Sequence, residues 1–131
     1  NFDYIHSVDS YEKLLKVSNA ANELKKLPTV FLQIKLSNDP AKGGFYINNL
    51  IENWEEIKKV NGIRIKGLMT INPKGLSPNE NLKLFHQCRE IANFLNLPDC
   101  SMGMSQDWRE AVEAGSTWLR LGSIIFGERN I

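Results

Sequence analysis

A chain of 131 residues has the length of one domain, and 42% hydrophobic with 24% charged residues are globular proportions. Sixteen Lys and Arg against fifteen Asp and Glu leave a formal net charge of +1, which gives no electrostatic footprint for nucleic acid and no polybasic patch for an anionic membrane. No apolar run approaches the ~20 residues that span a bilayer, and the composition excludes collagen, low-complexity disorder and a disulfide scaffold.

Asn1 to His6 already reads as a strand, with no basic segment or cleavage site ahead of it. A signal peptide is therefore not expected, and the sequence is expected to be a piece of a longer chain. The first strand is predicted over 3–8. Asp9-Ser10-Tyr11-Glu12 fits a capping box with Asp9 as N-cap. It opens a helix to about Lys26, with Tyr11, Leu14, Leu15 and Ala21 near one face, and Leu27-Pro28 ends it. Residues 29–36 are nearly continuous in apolar side chains, which suits a strand covered on both faces. Residues 37–46 read as a loop holding Asp39-Pro40 and Gly43-Gly44. Ile47, Leu50, Ile51, Trp54 and Ile57 form one helical stripe.

A third strand is predicted over 63–71. Ser77-Pro78-Asn79-Glu80 is a second capping box, with proline at the first helical position. Its helix runs to about Asn96 and buries Leu82, Phe85, Ile91, Ala92 and Leu95. A short strand over 100–104, a helix over 107–114 closed by Gly115, and a fifth strand over 117–121 follow. Gly122 onward reads as the start of a final short helix.

Strands and helices alternate with no hairpin signal, so parallel strands joined by helices are predicted. The repeat averages about 26 residues, close to the ~31 of a (β/α)8 barrel. Five strands do not close such a barrel, and a doubly wound sheet is the standalone alternative. Either architecture puts the chemistry at the C-terminal ends of the strands.

The candidates there are few. Gly122-Ser123 leaves a strand where backbone can approach a ligand, and a helix opening there would offer free amides to a phosphate. Ser105 can reach the same spot, although both serines equally fit helix caps. Arg120, two residues before Gly122, shares its face; an outward arginine with Leu119 and Leu121 inward fits the pattern as well. Lys35 near the end of the second strand is either an inward amine or a solvated rim lysine, and Lys42 reads as a loop cation. Met69, Met102 and Met104 read as packing residues, and Trp54, Trp108 and Trp118 as packing of helices onto the sheet. His6 and His86 lie far apart in no metal-binding spacing, so no metal is expected. Cys88 and Cys100 read as reduced thiols of a cytoplasmic protein.

One longer pattern is specific. Ser101-Met102-Gly103-Met104-Ser105-x-Asp107, then Glu110-Ala111-Val112-x-x-Gly115-Ser116-Thr117-x-x-Arg120-Leu121-Gly122, then Ile125-Phe126-Gly127-x-Arg129, strongly resembles the pyridoxal phosphate homeostasis protein family. That family shares the barrel of the alanine racemase N-terminal domain. Ile5 to Ser10, Gln33-Ile34 through Lys42-x-Gly44, and Lys66 to Ile71 resemble its fourth, fifth and sixth strands. The likeness covers the whole chain.

The resemblance implies a single domain over 1–131: the last five βα units of a TIM barrel of the alanine racemase N-terminal type. It implies pyridoxal 5'-phosphate (PLP) as cofactor, with Ser105, Gly122 and Ser123 on the phosphate, Arg120 facing the pyridine nitrogen and Met104 beside the ring. Family members more often carry threonine at the Ser123 position, which keeps the hydroxyl, and commonly asparagine at Lys35. The family's Schiff-base lysine belongs to the first barrel strand, so it is expected upstream of Asn1 and no catalytic residue is expected within the chain.

An arginine stays charged and cannot give the ring nitrogen a proton, so carbanion stabilisation would be weak. The expected function is PLP binding and delivery in intracellular PLP homeostasis, with little or no turnover. The implied partners are PLP and PLP-dependent apo-enzymes, and the intact protein is expected to be a monomer. An amino-acid racemase of the same fold type is the alternative, and it would need a further domain and a tyrosine base. The chain's end within ten residues of the last strand argues against it. A barrel enzyme acting on a phosphorylated metabolite without PLP is a third reading.

Overall fold

The computed structural model describes residues 3–38, 43–122 and 124–127. In chain order the elements are β1 (Tyr4–Val8), α1 (Tyr11–Leu24), β2 (Thr29–Lys35), β3 (Phe45–Tyr46), α2 (Ile47–Glu52), α3 (Trp54–Ile57), β4 (Arg64–Met69), α4 (Pro78–Phe94), β5 (Asp99–Ser101), α5 (Trp108–Glu113), β6 (Trp118–Leu121) and β7 (Ile124–Gly127).

The sheet order is β1-β2-β4-β5-β6-β7, with β3 on β2. From β1 to β6 the path strands pair in parallel with the strand before them. A doubly wound sheet reverses its strand order at a switch point. Here the order follows the chain without reversal, which is the winding of a barrel, and the sheet is an open, partial TIM barrel.

The core lies between sheet and helices. Val8, Val30, Leu32, Ile34, Leu68, Cys100, Met102 and Leu119 meet Leu14, Leu50, Ile57, Phe85, Cys88, Ala92 and Ala111. Alternation along each strand sends the intervening residues to the inner face, turned away from the helices. There Phe31 is fully buried. His6 stacks on it at 4.4 Å, and Trp118 meets both rings edge-on at 5.2 and 5.8 Å. Trp118 therefore does not pack a helix onto the sheet, as its sequence context suggests, but fills the inner face. Trp54 and Trp108 do pack against the helix-side core.

Local chemistry explains the element boundaries. The α4 capping box forms as expected: Ser77 Oγ accepts from Glu80 N–H, and Glu80 Oε1 accepts from Ser77 N–H. The N-cap of α1 is Ser10, not Asp9. Ser10 is extended and its Oγ accepts from Lys13 N–H at 3.1 Å, which leaves the Asp9 carboxylate to pair with the Lys13 ammonium at 3.1 Å. Tyr11 and Leu15 are exposed rather than buried. The stripe over 47–57 is two helices, because Asn53 departs from helical geometry and its Nδ2 donates to Asn49 O. Phe45-Tyr46, expected within a loop, adds a short parallel strand to β2.

The chain's end departs most from expectation. The segment after Gly122 is a strand, not a helix, and β7 runs antiparallel to β6 as a hairpin, pairing Leu121 with Ile124 and Trp118 with Gly127. Gly122 has φ +62, a left-handed conformation that lets a two-residue connection reverse the chain. The residues that follow, Ile124-Ile125-Phe126, are strand formers. Among the described residues, no helix is long and apolar enough to cross a membrane.

Candidate functional site

The candidate site lies where β5 and β6 end. Beyond Ser101 the two segments stay in register: Met102 N–H donates to Trp118 O at 3.1 Å, and Arg120 N–H donates to Gly103 O at 3.0 Å. Two residues further along both, Gly122 N–H donates to Ser105 Oγ in a long bond of 3.4 Å. Ser105 thus does not cap α5, whose N-cap residue is Asp107. Both Ser105 and Gly122 are exposed, and among the described residues a Cβ placed on Gly122 would meet no atom within 4 Å. The hydroxyl and the amide meet each other at an exposed edge of the fold.

The loop that carries Ser105 is fixed from both ends. Met104 N–H donates to Asp107 Oδ1 at 2.8 Å, and Asp107 N–H donates back to Met104 O at 3.2 Å. Met104 is itself 41% exposed rather than packed. With Asn72, Lys74, Gln106 and Asp107 it lines a cavity of about 470 Å³ between the loops after β4 and β5.

Arg120 takes the inner position. Leu119 is buried on the helix side, so the neighbouring Arg120 points to the opposite face. Its Nη1 donates to Ser101 Oγ at 3.2 Å and its Nη2 to Thr70 O at 3.2 Å. Burial lowers its pKa and the Asp107 carboxylate raises it; a guanidinium remains charged through any such shift. Ser101 is fully buried and its Oγ also lies 3.0 Å from His6 Nδ1. Burial first, and the Arg120 charge second, push the His6 pKa down to about 4. His6 is therefore neutral at neutral pH.

The two lysine candidates fall differently. Lys35 ends β2 with Nζ 5.6 Å from the centroid of the Tyr46 ring. Lys42 and Ser123 lie outside the described residues. His6 and Ser101 are the members that sequence reasoning missed. The usable signal was parity: Ser101, like Arg120, stands two residues before the glycine at its strand's end.

The arrangement offers a hydroxyl, a backbone amide at an open glycine, and a half-buried permanent cation on one wall. That donor set suits an anion near Ser105 and a hydrogen-bond acceptor near Arg120. Another cavity, of about 390 Å³, is lined by Asp9, Tyr11, Tyr46, Asn49, Asn53 and Glu56, among others, and its carboxylates do not suit an anion. Among the described residues, no group of His, Cys, Asp and Glu could hold a metal ion.

Comparison with known proteins gives the family. The chain matches the profile of the family described as alanine racemase, N-terminal domain, over residues 1–130. It is 42% identical over 135 residues to a pyridoxal phosphate homeostasis protein of Synechocystis, an alignment covering 98% of this chain and 62% of that protein. It is similar to the solved structure of PipY from Synechococcus elongatus without PLP, with TM-score 0.88 and 39% identity over 91% of this chain and 59% of that one. The structure of PipY with PLP bound gives TM-score 0.86 and 37% identity over 91% and 58%. The chain thus spans less than two thirds of the length of these relatives.

Proposed function

The chain belongs to the alanine racemase N-terminal domain family, and on that premise we propose that it forms the phosphate and ring-nitrogen side of a PLP site in a protein that binds and delivers this cofactor. The observation that carries the reading is the pairing of Ser105 Oγ with Gly122 N–H at the open ends of β5 and β6, one inner-face position beyond Arg120.

The residues present fit the group. Ser105 has a hydroxyl proton to donate to a phosphate oxygen, and the Gly122 amide can leave the long bond to Ser105 for a stronger charged acceptor. No atom of the described residues stands where a Gly122 side chain would, so a phosphate can approach the backbone. Ser123 would add a second hydroxyl, and Met104 would flank the ring. Arg120 has five N–H groups, of which the bonds to Ser101 and Thr70 use two. It would donate to the pyridine nitrogen and hold it unprotonated.

PLP when bound supplies an aldehyde that reacts with amines and a ring whose electron withdrawal depends on protonation of its nitrogen. Arg120 keeps that withdrawal weak, which is why we place the protein among carriers with little or no turnover rather than among racemases. We also place the covalent lysine outside residues 1–131, on the family's first barrel strand as the resemblance implies; Lys35 lies over the Tyr46 ring. The partners on this reading are PLP and the PLP-dependent apo-enzymes that would receive it, and the intact protein is a cytoplasmic monomer.

The test is a titration of the protein expressed from its complete gene, with PLP and separately with unphosphorylated pyridoxal. A charge-assisted hydrogen bond contributes about 1.5–3 kcal/mol. Ser105→Ala should therefore weaken PLP roughly 10- to 100-fold and leave pyridoxal little changed. Equal weakening of both ligands would remove Ser105 from the phosphate.

A further inference from the structure

Ser101 joins two groups that are remote in sequence. Its Oγ lies 3.2 Å from Arg120 Nη1 and 3.0 Å from His6 Nδ1, and the residue has no exposed surface. Arginine can only donate, so Ser101 Oγ accepts from Arg120. The serine proton then needs an acceptor, because a buried hydroxyl without one is costly. Among the described residues, the partner able to accept it is His6 Nδ1. The chain of donation therefore runs from Arg120 through Ser101 to His6, and His6 carries its own proton on Nε2.

The far end is anchored independently. The His6 ring stacks on Phe31 at an interplanar angle of 6°, and Phe31 is fully buried. Trp118 closes on the same ring edge-on. The imidazole is thus held by packing, and Ser101 is held by the sheet: Thr70 N–H donates to Ser101 O at 3.2 Å. The Thr70 carbonyl takes the other terminal nitrogen of Arg120. Two acceptors, one at the end of β5 and one just past the end of β4, fix the orientation of the guanidinium.

We propose that Ser101 and His6 are positioning residues for Arg120, setting through their shared hydrogen bond the direction in which the guanidinium meets the ring nitrogen of the cofactor. This rests on the assignment of Arg120 to that nitrogen made above. His6 touches no cofactor atom on this account; it acts by keeping the Ser101 proton away from Arg120.

The experiment compares PLP with its carbocyclic analogue, in which C–H replaces the ring nitrogen, on the protein expressed from its complete gene. The ratio of the two affinities reads the nitrogen contact alone, since both ligands carry the phosphate. Wild type should prefer PLP, and Arg120→Ala should abolish the preference. Ser101→Ala and His6→Phe should each reduce it about three- to tenfold, the value of one hydrogen bond. His6→Phe keeps a stacking ring, so its loss reports the acceptor and not the packing. His6→Asn, whose amide oxygen can stand where Nδ1 stands, should keep the preference within about twofold. A preference lost in Arg120→Ala but intact in both Ser101→Ala and His6→Phe overturns the proposal alone. A preference that Arg120→Ala does not change overturns the ring-nitrogen assignment, and the proposal with it. A proton–nitrogen correlation spectrum of the unloaded wild type needs no variant: Nδ1 of His6 should be unprotonated, and a proton on Nδ1 contradicts the proposal.

Discussion

The backbone N–H of Arg120 donates to the carbonyl of Gly103 at 3.0 Å, and this one bond sets the register of the whole candidate site. Two residues beyond each partner stand Ser105 and Gly122, which meet at 3.4 Å. Gly103 can hold this place because it has no side chain: its φ is +105, and a Cβ would lie 2.6 Å from Ala111 Cβ and 2.7 Å from Leu119 Cδ2. Gly103→Ala combines a strained backbone with overpacking and should cost about 2–4 kcal/mol. Urea denaturation of wild type and variant measures this, and a loss below half a kilocalorie would show that the register tolerates a side chain there.

His6 makes stability depend on pH. Its pKa falls from 6.5 in the unfolded chain to about 4 in the fold, so the unfolded chain binds the extra proton between those values. The stabilisation is complete above pH 6.5 and is lost as pH falls toward 4. Arg120 is the charged group that acts on this ring, Asp107 acts on Arg120 and not on the ring, and Tyr4 and Trp118 close the same face. Allowing for partial exposure, the loss should be about 1–2 kcal/mol relative to His6→Phe. Identical pH profiles for the two proteins would mean that the ring titrates at its ordinary value.

Lys35 should stay free of the cofactor. Borohydride reduction of the PLP-loaded complete protein, followed by peptide mapping, should find the label outside residues 1–131. Stoichiometric label on Lys35 would put the covalent site on β2 and overturn the placement upstream.

The polypeptide of residues 1–131 by itself should aggregate. Among the described residues β1 pairs on one side alone, with β2, and its first residue, Tyr4, is 43% exposed. A parallel strand with an open edge and an aromatic inner face is a template for pairing with other chains. Sedimentation of the purified polypeptide should show large species, and a monodisperse monomer with a sharp cooperative melt would show a self-sufficient domain.

Much of this is legible in the sequence because it depends on short spacings. Ser77, Pro78 and Glu80 announce the start of α4, and the two-residue step from Arg120 to Gly122 announces a shared face. The errors have equally local causes. Asp9 and Ser10 both cap helices, and the acidic residue three beyond Asp9 favoured the wrong one. The left-handed turn at Gly122 serves a hairpin as readily as a helix start, and only the pairing of β7 with β6 separates the two. The contact between His6 and Ser101 was out of reach for another reason: they are 95 residues apart, and it depends on the register of every strand between them.

The central claim is that the ends of β5 and β6 hold the cofactor phosphate, and a crystal structure of the complete protein with PLP bound tests it most directly. The account predicts phosphate oxygens within hydrogen-bond distance of Ser105 Oγ and the Gly122 amide, with the ring nitrogen toward Arg120. A phosphate seated instead among Asn72, Lys74 and Gln106, with Ser105 still bonded to Gly122, would contradict it.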